Sequence, residues 1–199
     1  DLRMNMMYKC SVDTIAQTGL DIWTNDISIE DLVGSLPMLD SLLPMLRSFK
    51  GKVDGEITTV ANLDKRMNLI LPSINGAGIL YGEKLVLLDG ETFSEIAKML
   101  MFKRKTENVI DKMSVELLVK NNQLQLLPFM LEMDKYRAAV SGVNDFDMNF
   151  KYHISVLQSP LPLKIGIDVT GNPDDWHVKL VQPLYKNEKS VTRYEELLK

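Results

Sequence analysis

Strict alternation of apolar and polar side chains through the C-terminal half constrains this chain more than any other feature. From Val109 onward, Val109, Asp111, Met113, Val115, Leu117 and Val119 share one strand face, and Ile110, Lys112, Ser114, Glu116, Leu118 and Lys120 share the other, because successive side chains of an extended chain point to opposite sides. Asn121-Asn122 follows between two apolar-rich runs, and the tolerance of asparagine for positive φ predicts a tight hairpin there. Gln123 to Glu132 is the hairpin partner. Met133-Asp134-Lys135 then leads into a run with Tyr136, Ala138 and Val140 on one side. Ser141-Gly142 to Asn144-Asp145 reads as a turn region. Beyond it Phe146, Met148, Phe150, Tyr152, Ile154 and Val156 alternate with polar neighbours, and after Gln158-Ser159-Pro160 so do Leu161, Leu163, Ile165, Ile167 and Val169. A turn at Gly171-Asn172-Pro173-Asp174-Asp175 and a final run through Trp176, Val178 and Leu180 complete an antiparallel meander.

The first half carries the helices. Ser28-Ile29-Glu30-Asp31 resembles a capping box, and Leu36, Leu39, Leu42, Leu43 and Leu46 recur at helical spacing, with Pro44 dividing the segment. A second helix is expected from Thr92-Phe93-Ser94-Glu95, with Phe93, Ile96, Ala97, Leu100 and Met101 as its apolar stripe. Lys103, Arg104 and Lys105 follow at its C-terminal end, where cations complement the helix dipole. Between the helices, 51–60, 66–74, 77–81 and 84–88 read as strands separated by Gly or Asn-Gly turns, and 2–12 as a further strand. The fold class expected is therefore mainly β with a few helices (α+β), a curved antiparallel meander whose apolar inner face two short helices partly cover. One domain spans 1–184, and 185–199 forms a polar, loosely attached helical tail with a capping pattern at Thr192 and Glu195.

Composition narrows the chemistry. Twenty-three Lys and Arg against 27 Asp and Glu give a net charge of −4, which argues against nucleic acid as partner. One cysteine excludes an internal disulfide framework, and with only two histidines no pair has metal-ligand spacing. Cys10 reads as a small buried hydrophobe, and His153 and His177 as surface histidines. Asp145, Asp147, Asp174 and Asp175 lie at turns, where local hydrogen bonding accounts for them. Gly76, Gly78 and Gly82 lack the context of a phosphate loop. No catalytic residue, metal or cofactor is expected, and an enzyme is disfavoured. No apolar stretch approaches the roughly 18 residues that cross a bilayer. No basic segment followed by an apolar run opens the chain, so no signal peptide is read, although the chain also begins without Met and reads as a piece of something longer.

Several runs carry a family resemblance. Phe93-Ser94-Glu95-Ile96-Ala97-Lys98-Met99-Leu100, Asn108-Val109-Ile110-Asp111-Lys112-Met113-Ser114-Val115 and Tyr136-Arg137-Ala138-Ala139-Val140-Ser141-Gly142 resemble the C-terminal region of AsmA-like proteins, as does the order of strands around them from Phe49-Lys50-Gly51-Lys52-Val53-Asp54-Gly55 to 162–171. The resemblance covers roughly Ile29 to Leu180. It implies a bridge-like lipid transfer module of the Gram-negative envelope: periplasmic, belonging to a parent protein anchored in the inner membrane, contributing to outer-membrane biogenesis and lining a path for phospholipid acyl chains. The anchor and most of the N-terminal region of such proteins have no counterpart here.

The leading expectation is thus a non-enzymatic module that holds acyl chains against the inner face of its sheet. The inward set would be Met113, Val115, Leu117, Phe146, Met148, Phe150, Tyr152, Ile154, Leu163, Ile165 and Ile167. The alternative is a structural or interaction domain of an envelope assembly, joining a protein partner through a strand edge, with a self-filled core and no lipid. An enzyme gathering His153 or His177 with an acid and a nucleophile comes third.

Overall fold

The computed structural model describes residues 1–10, 16–35, 44–88, 94–96, 98, 108–160 and 164–191. Eleven strands form one antiparallel sheet: β1 Leu2–Lys9, β2 Ala16–Ser28, β3 Phe49–Lys50, β4 Lys52–Leu63, β5 Asn75–Leu87, β6 Asn108–Lys120, β7 Gln123–Met133, β8 Tyr136–Asp145, β9 Phe150–Gln158, β10 Gly166–Gly171 and β11 Trp176–Val181. Each strand pairs with the next along the path β1-β2-β4-β5-β6-β7-β8-β9-β10-β11, while the two-residue β3 pairs with β5. The antiparallel meander read from the sequence is therefore the architecture, but the sheet is open and uncurled rather than curved. Among the described residues β1 and β11 are its free edges. Helix α1 covers Ile29–Ser35, and two 3-10 turns cover Pro44–Ser48 and Leu71–Ser73.

Local chemistry explains most boundaries. Asn121 and Asn122 have φ of 55° and 62°, the consecutive positive values of a two-residue hairpin turn. The Asp31 N–H donates to Ser28 Oγ at 3.0 Å, so Ser28 caps α1 as its position in the sequence suggests. Two further turns are built alike. The Asp64 carboxylate accepts from the N–H groups of Arg66 and Asn68 and from the Asn68 side-chain amide, and Asp145 does the same with Asp147 and Asn149. The intervening Met67 and Met148 sit at φ of 67° and 66°.

These turns correct the sequence reading. Ser141 to Asp145 belongs to β8, and the turn follows at 146–149, so Phe146 and Met148 precede β9 instead of starting it. Residues 66–74 hold a turn, a single bridge from Leu63 to Leu69 and a 3-10 turn, whereas 77–81 and 84–88 belong almost wholly to one continuous β5. Strand β2 was not expected, because Ala16–Ser28 mixes Thr, Gly and Asp among few apolar residues. The leucine-rich helix read at 36–46 falls on residues 36–43 outside the described ones and on a 3-10 turn. Of the helix from Thr92, only 94–96 and 98 are described, and these are helical. The capping pattern at Thr192 lies outside the described residues.

Alternation also changes phase once. Met113, Val115, Leu117 and Val119 are buried together, but toward the start of β6 it is Ile110 that enters the core, while Val109 and Asp111 are exposed. The partner strand makes the same step, from Leu80 to Leu85, with Lys84 between them at φ 51°. A left-handed residue rotates the strand without changing its register, so both neighbours shift phase together.

Candidate functional site

The main core lies on one side of the sheet and is thickest beneath α1. Ile29 and Leu32, three residues apart on that helix, are both buried against the strands. Ile29 N–H donates to Gly51 O at 3.0 Å, which ties the helix start to the chain entering β4. Leu46 and Phe49 approach from the following turn and β3, and Val53, Leu80, Met113, Val115, Leu117, Leu126 and Phe129 rise from β4 to β7. Together with Tyr81 these residues line a narrow cleft of about 30 Å³ that is partly open to solvent. The surface that these side chains present to the cleft is alkyl and aromatic. Packing there removes apolar surface from water, worth about 0.8 kcal/mol for each methylene buried.

The register carries this side across the sheet. Leu117 faces Leu126, Leu126 faces Gly142, Gly142 faces Tyr152 and Tyr152 faces Val169, while Ile154 faces Val140 and Ile167. Of the predicted inward set, Met113, Val115, Leu117, Tyr152 and Ile167 are buried in one cluster, with Phe146, Phe150 and Ile154 packed against it. Phe150 and Tyr152 stack with ring centroids 5.3 Å apart. Met148 is 45% exposed in its turn, so it does not join the core. Ile165 is half-buried just before β10, its carbonyl accepting from Val156 N–H, and Leu163 lies outside the described residues. Among the described residues of that set, the cleft draws on Met113, Val115 and Leu117. Its other walls come from segments whose role no periodicity announces, although Ile29 and Leu32 carry the i, i+3 signal of a capped helix.

A second arrangement sits on the opposite side of β8–β10. His153 is buried, not a surface residue as its place on a polar strand face suggested. Its Nδ1 lies 2.6 Å from Asp168 Oδ1 and its Nε2 lies 2.9 Å from Ser155 Oγ. The segment after β11 crosses above these groups. Leu184 N–H donates to His153 Nε2 at 3.2 Å, Tyr185 N–H to Ser155 Oγ at 3.0 Å, and the Tyr185 hydroxyl to Ser141 Oγ at 3.0 Å. Tyr185 and Val191, in the stretch expected to be loosely attached, pack with Ala139 as a small second core. The order Asp168, His153, Ser155 resembles the relay of a serine hydrolase. Ser155 is fully buried, however, and the crossing segment occupies the position a substrate would need.

His177 is exposed, its Nδ1 3.9 Å from Asp175, and Cys10 is exposed as well, contrary to the buried hydrophobe expected. Among the described residues no cluster of three or more His, Cys, Asp or Glu could hold a metal, and no helix is long and apolar enough to cross a membrane. Comparisons with protein-family models, curated proteins and solved structures give no match for this chain.

Proposed function

We propose that this chain is a non-enzymatic module that takes phospholipid acyl chains against the apolar side of its sheet. The observation that carries the reading is the cleft beneath α1, whose walls from Ile29 to Phe129 are aliphatic or aromatic throughout. Such a lining recognises hydrocarbon by area and is indifferent to headgroup, as suits transfer of a lipid class rather than a single species. In this reading the buried side becomes the inner face of a groove in a longer, AsmA-like parent, periplasmic and anchored in the inner membrane, that serves outer-membrane biogenesis. The likeness of strand order stated above supports the parentage.

Native mass spectrometry of gently purified protein, followed by lipid extraction, tests it. Phospholipid at defined stoichiometry is expected, and it should be lost from Val115→Phe or Val53→Phe, which fill the cleft, while circular dichroism and urea unfolding show the variant folded. Protein that carries no lipid and takes up none from added vesicles sinks the proposal.

One observation favours the second reading, an interaction domain with a self-filled core. Strand β1 is a free edge of eight residues with Met4, Met6, Met7 and Tyr8 all exposed, and an unpaired apolar edge is a template for another strand. Concentration-dependent association without lipid uptake would select it.

A further inference from the structure

We propose that His153 is a proton-operated latch on the C-terminal strap, the segment 182–191 that crosses β8–β10. A backbone N–H can only donate, so the bond from Leu184 to Nε2 requires that nitrogen to present its lone pair. The proton of the neutral ring therefore sits on Nδ1 and is donated to Asp168 Oδ1. Ser155 Oγ, 2.9 Å from Nε2, accepts from Tyr185 N–H and directs its own proton toward the ring. Two consecutive strap residues thus hang on one histidine and the serine two positions beyond it.

A second proton on the ring must go to Nε2. The Ser155 hydroxyl must then rotate its proton away so that Oγ accepts from the new N–H, and Leu184 N–H is left facing a donor with no lone pair. Asp168 stabilises the imidazolium where it stands, so the ring stays and the strap yields. The strap can yield separately because its apolar anchors, Tyr185 and Val191, belong to a small cluster with Ala139 that is distinct from the main core. Gly166 makes the crossing possible, since a Cβ there would stand 2.6 Å from the Gln182 carbonyl oxygen. Other charged groups on this side are Lys151 on β9, Lys179 opposite Asp168 on β11, Lys186 and Lys189 on the strap, and Arg137 on β8, whose guanidinium is 2.7 Å from Glu188 and 3.3 Å from Glu132. His177 on β11, opposite Thr170 and exposed, also lies on this side, and histidine is the side chain that charges between about pH 8 and pH 5.5, so the step read below must survive in His177→Gln.

Hydrogen exchange read by mass spectrometry at about pH 8 and pH 5.5, corrected for intrinsic rates, tests the latch on the full chain. Peptides covering 183–187 should lose at least about tenfold of their protection at the lower pH while β6 and β9 keep theirs. The step should vanish in His153→Gln, whose side-chain carbonyl still accepts but does not titrate, and in Asp168→Asn it should move to lower pH. Equal strap protection at both pH values, or a step surviving in His153→Gln, overturns the proposal. Should the variants not fold, nitrogen NMR of the wild-type ring decides. Ring protonation and strap release must share one midpoint, and separate midpoints also overturn it.

Discussion

Tyr152 lies across Gly142, its register partner on β8, where a Cβ would clash with the edge of the phenol ring, and its hydroxyl donates to Asn144 Oδ1 at 2.7 Å. Burial pushes this phenol up to about 12, with the Asn144 bond opposing the shift. The unfolded phenol ionises near 10, so between pH 10 and 12 the folded chain holds the extra proton and stability falls as pH rises. We predict a loss on the order of 2–3 kcal/mol across that window in urea unfolding, absent from Tyr152→Phe. At neutral pH the same substitution should cost about 1–3 kcal/mol, because it strips the Oδ1 partner from a fully buried amide whose Nδ2 already lacks one. Asp64 shifts the other way: the Asn68 side-chain amide, then the Asn68 N–H, hold its carboxyl below the usual range. Its contribution to stability is present at neutral pH and disappears as pH falls through that lowered value. Carbon NMR should show Asp64 titrating at higher pH in Asn68→Ala than in the wild type. Neither behaviour was legible beforehand, since the sequence marks Tyr152 only as one apolar position among several and the Asp-x-x-Met-Asn turns resemble ordinary alternation.

At the scale of the element, legibility followed how local the determinant is. The Asn121-Asn122 hairpin and the Ser28 cap depend on residues within a turn of one another, and both are where the sequence puts them. The start of β9 was misplaced because Phe146 and Met148 keep the period of two through a turn that an aspartate makes with its own backbone. Burial of His153 was hidden because its cover, Leu184 and Tyr185, lies about thirty residues away. Two substitutions test these elements. Leu32→Ala removes a fully buried side chain from α1 and should cost about 2–5 kcal/mol in urea unfolding. Gly166→Ala should push the strap off β10, raising exchange at 183–187 at every pH while leaving the exchange of β6 unchanged.

For the whole molecule, alternation announced the antiparallel meander, but the curvature expected of it is not what the sheet shows, because alternation fixes which side chains share a face and not how the strands bend, and irregularities such as those at Thr24/Ile27 and Leu126/Phe129 leave little trace in a pattern. Its free β1 edge gives a further expectation. If that edge mediates association, Met4→Lys with Met6→Lys should shift the protein toward monomer in light scattering without changing its unfolding midpoint, since both side chains are more than half exposed. The strand path has a deeper consequence. Among the described residues, apart from the short β3, every strand bonds to its sequence neighbours and to no others, and the two ends do not meet. A barrel must satisfy a closure condition, so adding or removing a hairpin changes its girth and tilt everywhere. This ladder has no such condition: lengthening by duplication at either end leaves every existing rung in place, and evolution can set its reach one hairpin at a time.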